Sequence, residues 1–180
     1  AKGYPLSFAF VPAQSFKDNI VEINVVEGYV SSVKIEGNPG ASEERLRNIA
    51  EQLKADRPLS RATFDRITSV LSLQPGMRIK ATVRPPENTD GASEMTLDVS
   101  RKPVTTSFAV DTATSSLRGI FSVTENGLTP LGEQVTLSTI APRGPSREEY
   151  VGLNYIQPIR WQGMFCLLYT SDAADEGLGV

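Results

Sequence analysis

The sequence predicts an α+β fold in which two helices cover a small mixed sheet, followed by a run of antiparallel strands. Three observations carry this prediction. Apolar and polar residues alternate up to residue 36, apolar residues recur at helical spacing between residues 42 and 73, and alternation returns from residue 77 to residue 99. After Pro103 the helical spacing does not return.

Composition excludes several classes of function. The 180 residues carry 18 Lys and Arg against 21 Asp and Glu, a net charge of −3, with one cysteine and no histidine. Without histidine the chain has no Ser-His-Asp or Cys-His constellation and no histidine-ligated metal site. One cysteine forms no internal disulfide. Because nucleic-acid-binding proteins show a basic excess, we expect no nucleic-acid partner.

The chain begins at Ala1 without an initiator methionine or a signal peptide, so we expect a mature chain or an internal piece of a longer one. No run of 18 apolar residues occurs. This excludes a transmembrane helix but not a transmembrane β-strand, whose signal is only alternation over about ten residues.

Two half-buried strands are predicted before residue 28. The first buries one face, which holds Leu6, Phe8 and Phe10. The second buries the alternate residues Val21, Ile23 and Val25. Core packing is therefore the predicted role of the two phenylalanines, and the second strand ends at Glu27-Gly28, where glycine permits a turn.

A strand at 30–36 and two amphipathic helices come next. Val33 and Ile35 face inward from the strand, and Ser42 is the predicted N-cap of the first helix. The apolar stripe of this helix is Leu46, Ile49, Ala50 and Leu53. Pro58 stops the first helix, and Ser60 caps a second one that ends at Pro75-Gly76. The stripe of the second helix is Phe64, Ile67 and Leu71.

Two further strands complete the α+β unit. The first alternates the apolar residues Met77, Ile79, Ala81 and Val83 with Arg78, Lys80 and Thr82. The second alternates Met95, Leu97 and Val99 with Glu94, Thr96 and Asp98. Residues 29–102 therefore read β-α-α-β-β, with the two helices on one face of a three-stranded mixed sheet.

Strand-like segments follow at residues 104–110, 117–124, 133–140 and 149–156, separated by turn segments. One face of each is polar, which predicts an antiparallel meander. A soluble sandwich and the start of an outer-membrane β-barrel both fit this pattern.

No cofactor site or catalytic site is predicted. Residues 127–132 have the glycine spacing of a phosphate loop, but Glu133-Gln134 stand where Lys and Ser or Thr are needed, so a turn is favoured over a nucleotide site. The acidic pairs Glu43-Glu44 and Glu148-Glu149 are sequence neighbours whose side chains point apart. We therefore expect no nucleotide, no metal and no enzymatic activity.

Five segments, in order, resemble a known family. They are VPAQ at 11–14, VEINVVEG at 21–28, VKIEGN at 33–38, PLS at 58–60 and LQPGMRIKA at 73–81. Together they resemble the junction of two POTRA (polypeptide-transport-associated) domains of two-partner secretion transporters, the hemolysin and hemagglutinin secretion-activation family of the Omp85 superfamily. The resemblance is firm over residues 3–102 and looser over 103–163.

The resemblance implies a division of the chain into four parts. Residues 1–28 end a first POTRA domain, residues 29–102 form a complete second one, and residues 103–165 are the first strands of an incomplete outer-membrane barrel. Residues 166–180 do not continue the barrel pattern and resemble translated adapter sequence, so we interpret them as a non-native tail.

The resemblance also places the strand at 77–83 at the edge of its sheet. Its charged face has two interpretations that both stay open: blocking aggregation, or accepting an extended client segment by β-augmentation. The expected client-binding residues are Met77, Arg78, Ile79, Lys80, Ala81, Thr82 and Val83 of the strand with Phe64, Ile67 and Leu71 of the second helix.

The implied protein is an outer-membrane translocator whose POTRA domains lie in the periplasm. Its partners are the N-terminal secretion region of an unfolded exoprotein and, through the complete barrel, outer-membrane lipid. An Omp85-type factor that inserts β-barrel proteins and a soluble periplasmic protein-binding scaffold are the alternatives.

Overall fold

A computed structural model describes residues 3–14, 20–86, 88–111, 117–143, 149–159 and 163–174. The chain divides into two compact units. The first unit contains Ala1–Pro39, Glu43–Leu73 and Arg78–Ser100, and the second contains Gly40–Ser42, Gln74–Met77 and Arg101–Val180. In the part of the chain that is described, no helix is long and apolar enough to cross a membrane.

The first unit begins with a two-stranded antiparallel sheet of β1 (Phe8–Phe10) and β2 (Asn24–Val26), in which Phe8 lies opposite Val26. The predicted inward face of the second strand is wrong. Its residues Val21, Ile23 and Val25 are all more than half exposed, whereas Val26 is only 4% exposed. Alternation gave the period of this segment but not its phase, because β2 is only three residues long.

Phe8 is also exposed, contrary to its predicted place in a core, and Phe10 is half-buried. The two rings contact one another with their centroids 6.2 Å apart. Leu6 is the residue buried at this end of the unit, where the backbone of Gly28 lies directly against it. A two-stranded sheet has no core of its own, so a side chain on it is buried only where another segment covers it. Here the turn after β2, at Gly28, covers Leu6.

The main sheet of the first unit has three strands: β3 (Tyr29–Gly37), β4 (Met77–Val83) and β5 (Ala92–Arg101). Their order is β3-β5-β4, with β3 and β5 parallel. β4 therefore lies at an edge of the sheet. The predicted alternation of β4 and β5 is confirmed, since each buried or half-buried residue is followed by a more exposed one along most of both strands.

Two helices connect β3 to β4. The first, α1 (Glu43–Ala50), follows a short 3₁₀ turn at Gly40–Ser42 and continues as a 3₁₀ turn at Glu51–Ala55. The second is α2 (Arg61–Ser72). The prediction that Ser42 caps α1 is wrong: Ser42 ends the 3₁₀ turn, and its buried Oγ has no hydrogen-bond partner among the described residues.

The core of the first unit lies between these helices and the sheet. Its fully buried side chains include Leu46, Ile49 and Leu53 from the first helical segment, Ile67 and Leu71 from α2, and Met95, Leu97 and Val99 from β5. The apolar stripes predicted for the two helices supply five of these residues. Only Phe64 of the two stripes is not buried, and it lies at the margin of the core, half-buried.

The second unit contains a five-stranded antiparallel meander. Its strands are β6 (Val104–Asp111), β7 (Leu117–Asn126), β8 (Gln134–Arg143), β9 (Glu149–Ile159) and β10 (Met164–Ala174). They pair in chain order. The sequence predicted the first four. The fifth strand, β10, includes residues 166–174 and pairs with β9 along its length. The interpretation of residues 166–180 as a non-native tail stays a prediction.

Candidate functional site

An open groove of about 380 Å³ lies between α2 and the edge strand β4. Its lining residues are Phe64, Thr68, Ser69, Leu71, Ser72, Ile79 and Ala81. The helix contributes residues spaced by three and four positions, which share one helix face. The strand contributes two residues spaced by two, which share one sheet face.

Four of the ten residues expected from the sequence lie together in this groove, namely Phe64, Leu71, Ile79 and Ala81. Ile67 does not line it, since its side chain is fully buried in the core. Met77 and Val83 are half-buried on the groove side of β4 but outside the lining. The remaining three, Arg78, Lys80 and Thr82, are exposed on the opposite face of the strand.

Three lining residues were not predicted: Thr68, Ser69 and Ser72. The signal that identifies Thr68 and Ser72 is positional, since they follow Phe64 by four and eight residues and so extend its face of the helix. The apolar stripe did not predict them, because Thr and Ser are polar residue types and do not count toward such a stripe.

The groove hydroxyls are turned back onto the helix. Thr68 Oγ1 donates to the Phe64 carbonyl at 2.9 Å, Ser69 Oγ donates to Asp65 at 2.7 Å, and Ser72 Oγ donates to Ser69 at 2.7 Å. Their hydrogens are therefore used within α2. The helix wall offers methyl, methylene and aromatic surface, with hydroxyl oxygens only as acceptors.

The backbone of β4 has one paired side and one open side. The Arg84 amide, just beyond the strand, donates to the Glu94 carbonyl of β5 at 3.4 Å. Because the backbone groups of alternate residues point to opposite edges of a strand, the amides of Lys80 and Thr82 point toward β5. Those of Ile79 and Ala81 point to the open edge, and the side chains of these same two residues line the groove.

The N-terminus of α2, which fixes the helix beside β4, is held by a local network. Ser60 Oγ accepts from the Thr63 amide at 3.3 Å and thus caps the helix as predicted. The same hydroxyl donates to Asp56 Oδ2 at 2.7 Å, and the Ser60 amide donates to that oxygen at 3.0 Å. Hydrogen bonds from the Thr63 and Ser60 side chains and the Ser60 amide lower the pKa of Asp56.

The segment with phosphate-loop spacing forms the turn between β7 and β8. The Glu133 carboxylate accepts from the Thr129 amide at 2.8 Å and from Thr129 Oγ1 at 2.6 Å. Although burial raises the pKa of Glu133, the hydrogen bonds from Thr129 and from neighbouring amides hold it below its usual value. An amide that a phosphate would need is therefore already bound to a carboxylate.

The five-stranded sheet of the second unit has two chemically distinct faces. The apolar face is defined by Val104, Phe108, Val110, Phe121, Val123, Leu137, Val151 and Leu153, and it also carries Thr106, Glu125 and Thr139. Phe108 is 71% exposed and Leu137 is 52% exposed, so large side chains on this face point away from the unit.

The opposite, hydroxyl face is built from cross-strand rows. Ser107, Ser122, Ser138 and Gly152 form one row across β6 to β9, and Thr105, Thr124, Thr136 and Asn154 form the next. Thr124 and Thr136 are hydrogen-bonded through their hydroxyls at 3.0 Å. Within the described ranges no group of three or more Cys, Asp or Glu residues is placed to hold a metal ion.

The chain has a fold similar to segments of the outer-membrane proteins BamA and CdiB, which belong to the Omp85 superfamily. It is similar to BamA from Haemophilus ducreyi lacking POTRA domains 1-3, with a TM-score of 0.59, 18% identity, and coverage of 98% of this chain and 35% of that one. It is also similar to two structures of CdiB. For CdiB from Escherichia coli the TM-score is 0.57 at 17% identity, covering 94% and 36% of the two chains. For CdiB from Acinetobacter baumannii it is 0.58 at 15% identity, covering 88% and 31%.

These likenesses confirm the predicted resemblance at the level of the fold. The chain spans about a third of the length of each of these structures. No protein-family model and no curated protein matches the sequence. The solved relatives are outer-membrane transporters or assembly factors, and CdiB is a two-partner secretion transporter.

Proposed function

We propose that the chain is a segment of an outer-membrane translocator that captures an unfolded exoprotein in the periplasm and secretes it through a β-barrel. In this proposal residues 1–28 end one POTRA domain, residues 29–102 form the next, and residues 103–165 begin the barrel. The barrel assignment is supported by the contrast between the apolar face and the hydroxyl face of the second sheet.

One observation carries the proposed capture step: the open edge of β4 lies beside an apolar groove. An extended client segment that pairs with Ile79 and Ala81 gains backbone hydrogen bonds at the edge and places alternate side chains against Phe64 and Leu71. Backbone pairing is indifferent to side chains, and the groove hydroxyls have no free hydrogen to give. Such binding is weak per residue, accumulates along the segment, and needs no nucleotide at the site.

The test is the substitution Ile79→Pro, which removes an amide donor from the open edge and leaves the pairing of β4 with β5 intact. We expect weaker binding of the purified, unfolded N-terminal secretion region of the partner exoprotein, measured by fluorescence anisotropy. The matched control Ile79→Ala keeps the amide and loses only part of the groove surface. If Ile79→Pro retains its helical circular dichroism and binds the secretion region as the unchanged chain does, the capture proposal is wrong.

The similarity to BamA favours a second candidate, an Omp85-type assembly factor that inserts β-barrel proteins. Its client at β4 would be the terminal strand of a nascent barrel rather than a secretion region. A pull-down that offers the chain both client types in equal amounts separates the two proposals by which client is retained.

A soluble periplasmic scaffold would need the apolar face of the second sheet to be covered. The extent to which Phe108 and Leu137 are exposed weighs against that alternative. The scaffold alternative is tested by the solubility of a longer protein that contains this chain. The barrel assignment requires that protein to need detergent, whereas a soluble scaffold would not need it.

A further inference from the structure

The face of β4 that points away from the groove is cationic. Arg78 and Lys80 are exposed on it, and Arg84 continues the same face just beyond the strand. Among the described residues, no carboxylate lies within ion-pair distance of any of these three cations. None of the three is therefore held in an ion pair, although Arg84 lies close enough to Glu36 of β3 to help lower the pKa of that carboxyl.

The acidic residues nearest to β4 on this sheet face belong to β5. Glu94 and Asp98 of β5 are exposed beside β4, on the side away from the open edge. A strand added to the edge would lie roughly 5 Å from β4 and about twice that distance from β5. Its nearest charged neighbours would be Arg78 and Lys80, and the carboxylates of β5 would be screened more strongly.

An added strand must present its two faces to two different environments. One set of alternate side chains would lie beside Arg78 and Lys80, where opposite charges stabilise a cross-strand pair. The other set would lie beside Ile79 and Ala81 and enter the groove next to Phe64. With a volume of about 380 Å³, this groove lies near the lower limit of ligand pockets and suits side chains rather than a whole folded element.

We infer that the edge of β4 selects extended segments in which acidic residues alternate with apolar residues. This inference rests on the proposed function, because it specifies which stretches of an unfolded client are held at the site. Backbone pairing alone has no sequence preference. The inference adds two: the bound segment carries acidic residues, and these alternate with apolar ones.

The experiment compares three labelled peptides of ten residues, measured by fluorescence anisotropy with the full 180-residue chain in a zwitterionic detergent. The first alternates Glu with Leu or Phe, the second alternates Lys with the same apolar residues, and the third has the composition of the first with acidic and apolar residues in separate blocks. We expect the first to bind roughly tenfold more tightly than the second, because two cross-strand charge pairs change from attractive to repulsive. The third should bind more weakly than the first.

The variant Lys80→Glu should reduce the preference for the acidic over the basic peptide to about parity, since one of the two charge pairs is reversed. The control Arg66→Glu makes the same change of charge at an exposed position of α2 outside the groove lining and should leave the preference unchanged. Raising the salt concentration should also reduce the preference.

The outcomes separate this inference from the proposed function. If the acidic and basic peptides bind equally and Ile79→Pro weakens both, edge capture stands and the charge preference is overturned. If the blocked peptide binds as tightly as the alternating one, the two-residue period is overturned. If none of the peptides binds and Ile79→Pro has no effect on the secretion region, both the inference and the proposed function fail.

Discussion

Gly37 lies against the carbonyl oxygen of Val99 so closely that a β-carbon at residue 37 would overlap it. The backbone of Gly37 has a φ of 90°, and the next residue, Asn38, donates its amide to the same oxygen at 2.8 Å. This contact joins the end of β3 to β5. The glycine of the VKIEGN segment therefore has a steric reason to be there.

Gly37→Ala should destabilise the first unit by about 2–4 kcal/mol, because it combines an unfavourable positive φ with a backbone clash. Urea unfolding followed by helical circular dichroism measures the change, since both described α-helices belong to this unit. Gly3→Ala is the matched control: Gly3 has a φ of 95°, but no atom of the described residues lies within 4 Å of its added carbon. Equal losses in the two variants would contradict the steric account.

Ser60→Ala should cost about 1 kcal/mol of stability, because it removes the side-chain acceptor of the Thr63 amide at the start of α2. The same urea experiment measures it. Ser69→Ala removes a hydroxyl that bonds only within the helix and should change stability by less than half as much. A loss at Ser69 as large as at Ser60 would show that the cap does not stabilise this helix.

Asp56 should make stability dependent on acid pH. Its pKa is lower in the folded protein than the usual value of 3.8 for an aspartate, so its contribution is fully present above about pH 5 and is lost as the pH falls through the folded pKa. The stability difference between the unchanged chain and Asp56→Asn should therefore shrink on acidification. Unfolding curves from about pH 6 to pH 2 test this, and a difference that stays constant over that range would contradict it.

Glu133→Gln should loosen the turn between β7 and β8. The Glu133 side chain is 5% exposed and accepts two hydrogen bonds from Thr129, so removing its charge weakens both. Hydrogen exchange of the Thr129 amide should accelerate roughly tenfold, because the neutral amide oxygen of glutamine accepts a weaker hydrogen bond than the carboxylate does. Glu125→Gln, a change of the same type at the end of β7, should leave that exchange rate unaltered.

Sequence patterns predicted the elements that contact two different environments. The period of β4 and β5 and the stripes of α1 and α2 follow from having one face on a core and one in solvent. Such faces are encoded residue by residue. For this reason the pattern identified β4 as a strand and two apolar residues of the groove helix, Phe64 and Leu71. The position of β4 at the sheet edge was predicted from the family resemblance instead. The cap at Ser60 follows from local backbone chemistry, because the first amides of a helix have no acceptor within it.

The features that were missed depend on neighbours far away in the chain. Val26 is buried in place of Val25 because of what covers a three-residue strand, and no local period contains that information. Ile67 belongs to the same apolar stripe as Phe64 but faces the core rather than the groove. Ser42 has the residue type of a helix cap, yet it is buried and its side-chain oxygen caps no helix amide.

The two faces of β4 also constrain how a bound chain can move. A strand that slips by one residue turns every side chain to the other face. A segment seated on β4 would then place its apolar groups beside Arg78 and Lys80 and its polar groups beside Phe64. If the proposed capture holds, a bound chain should therefore move in strides of two residues, roughly 7 Å of extended chain. Single-residue steps would be disfavoured in either direction.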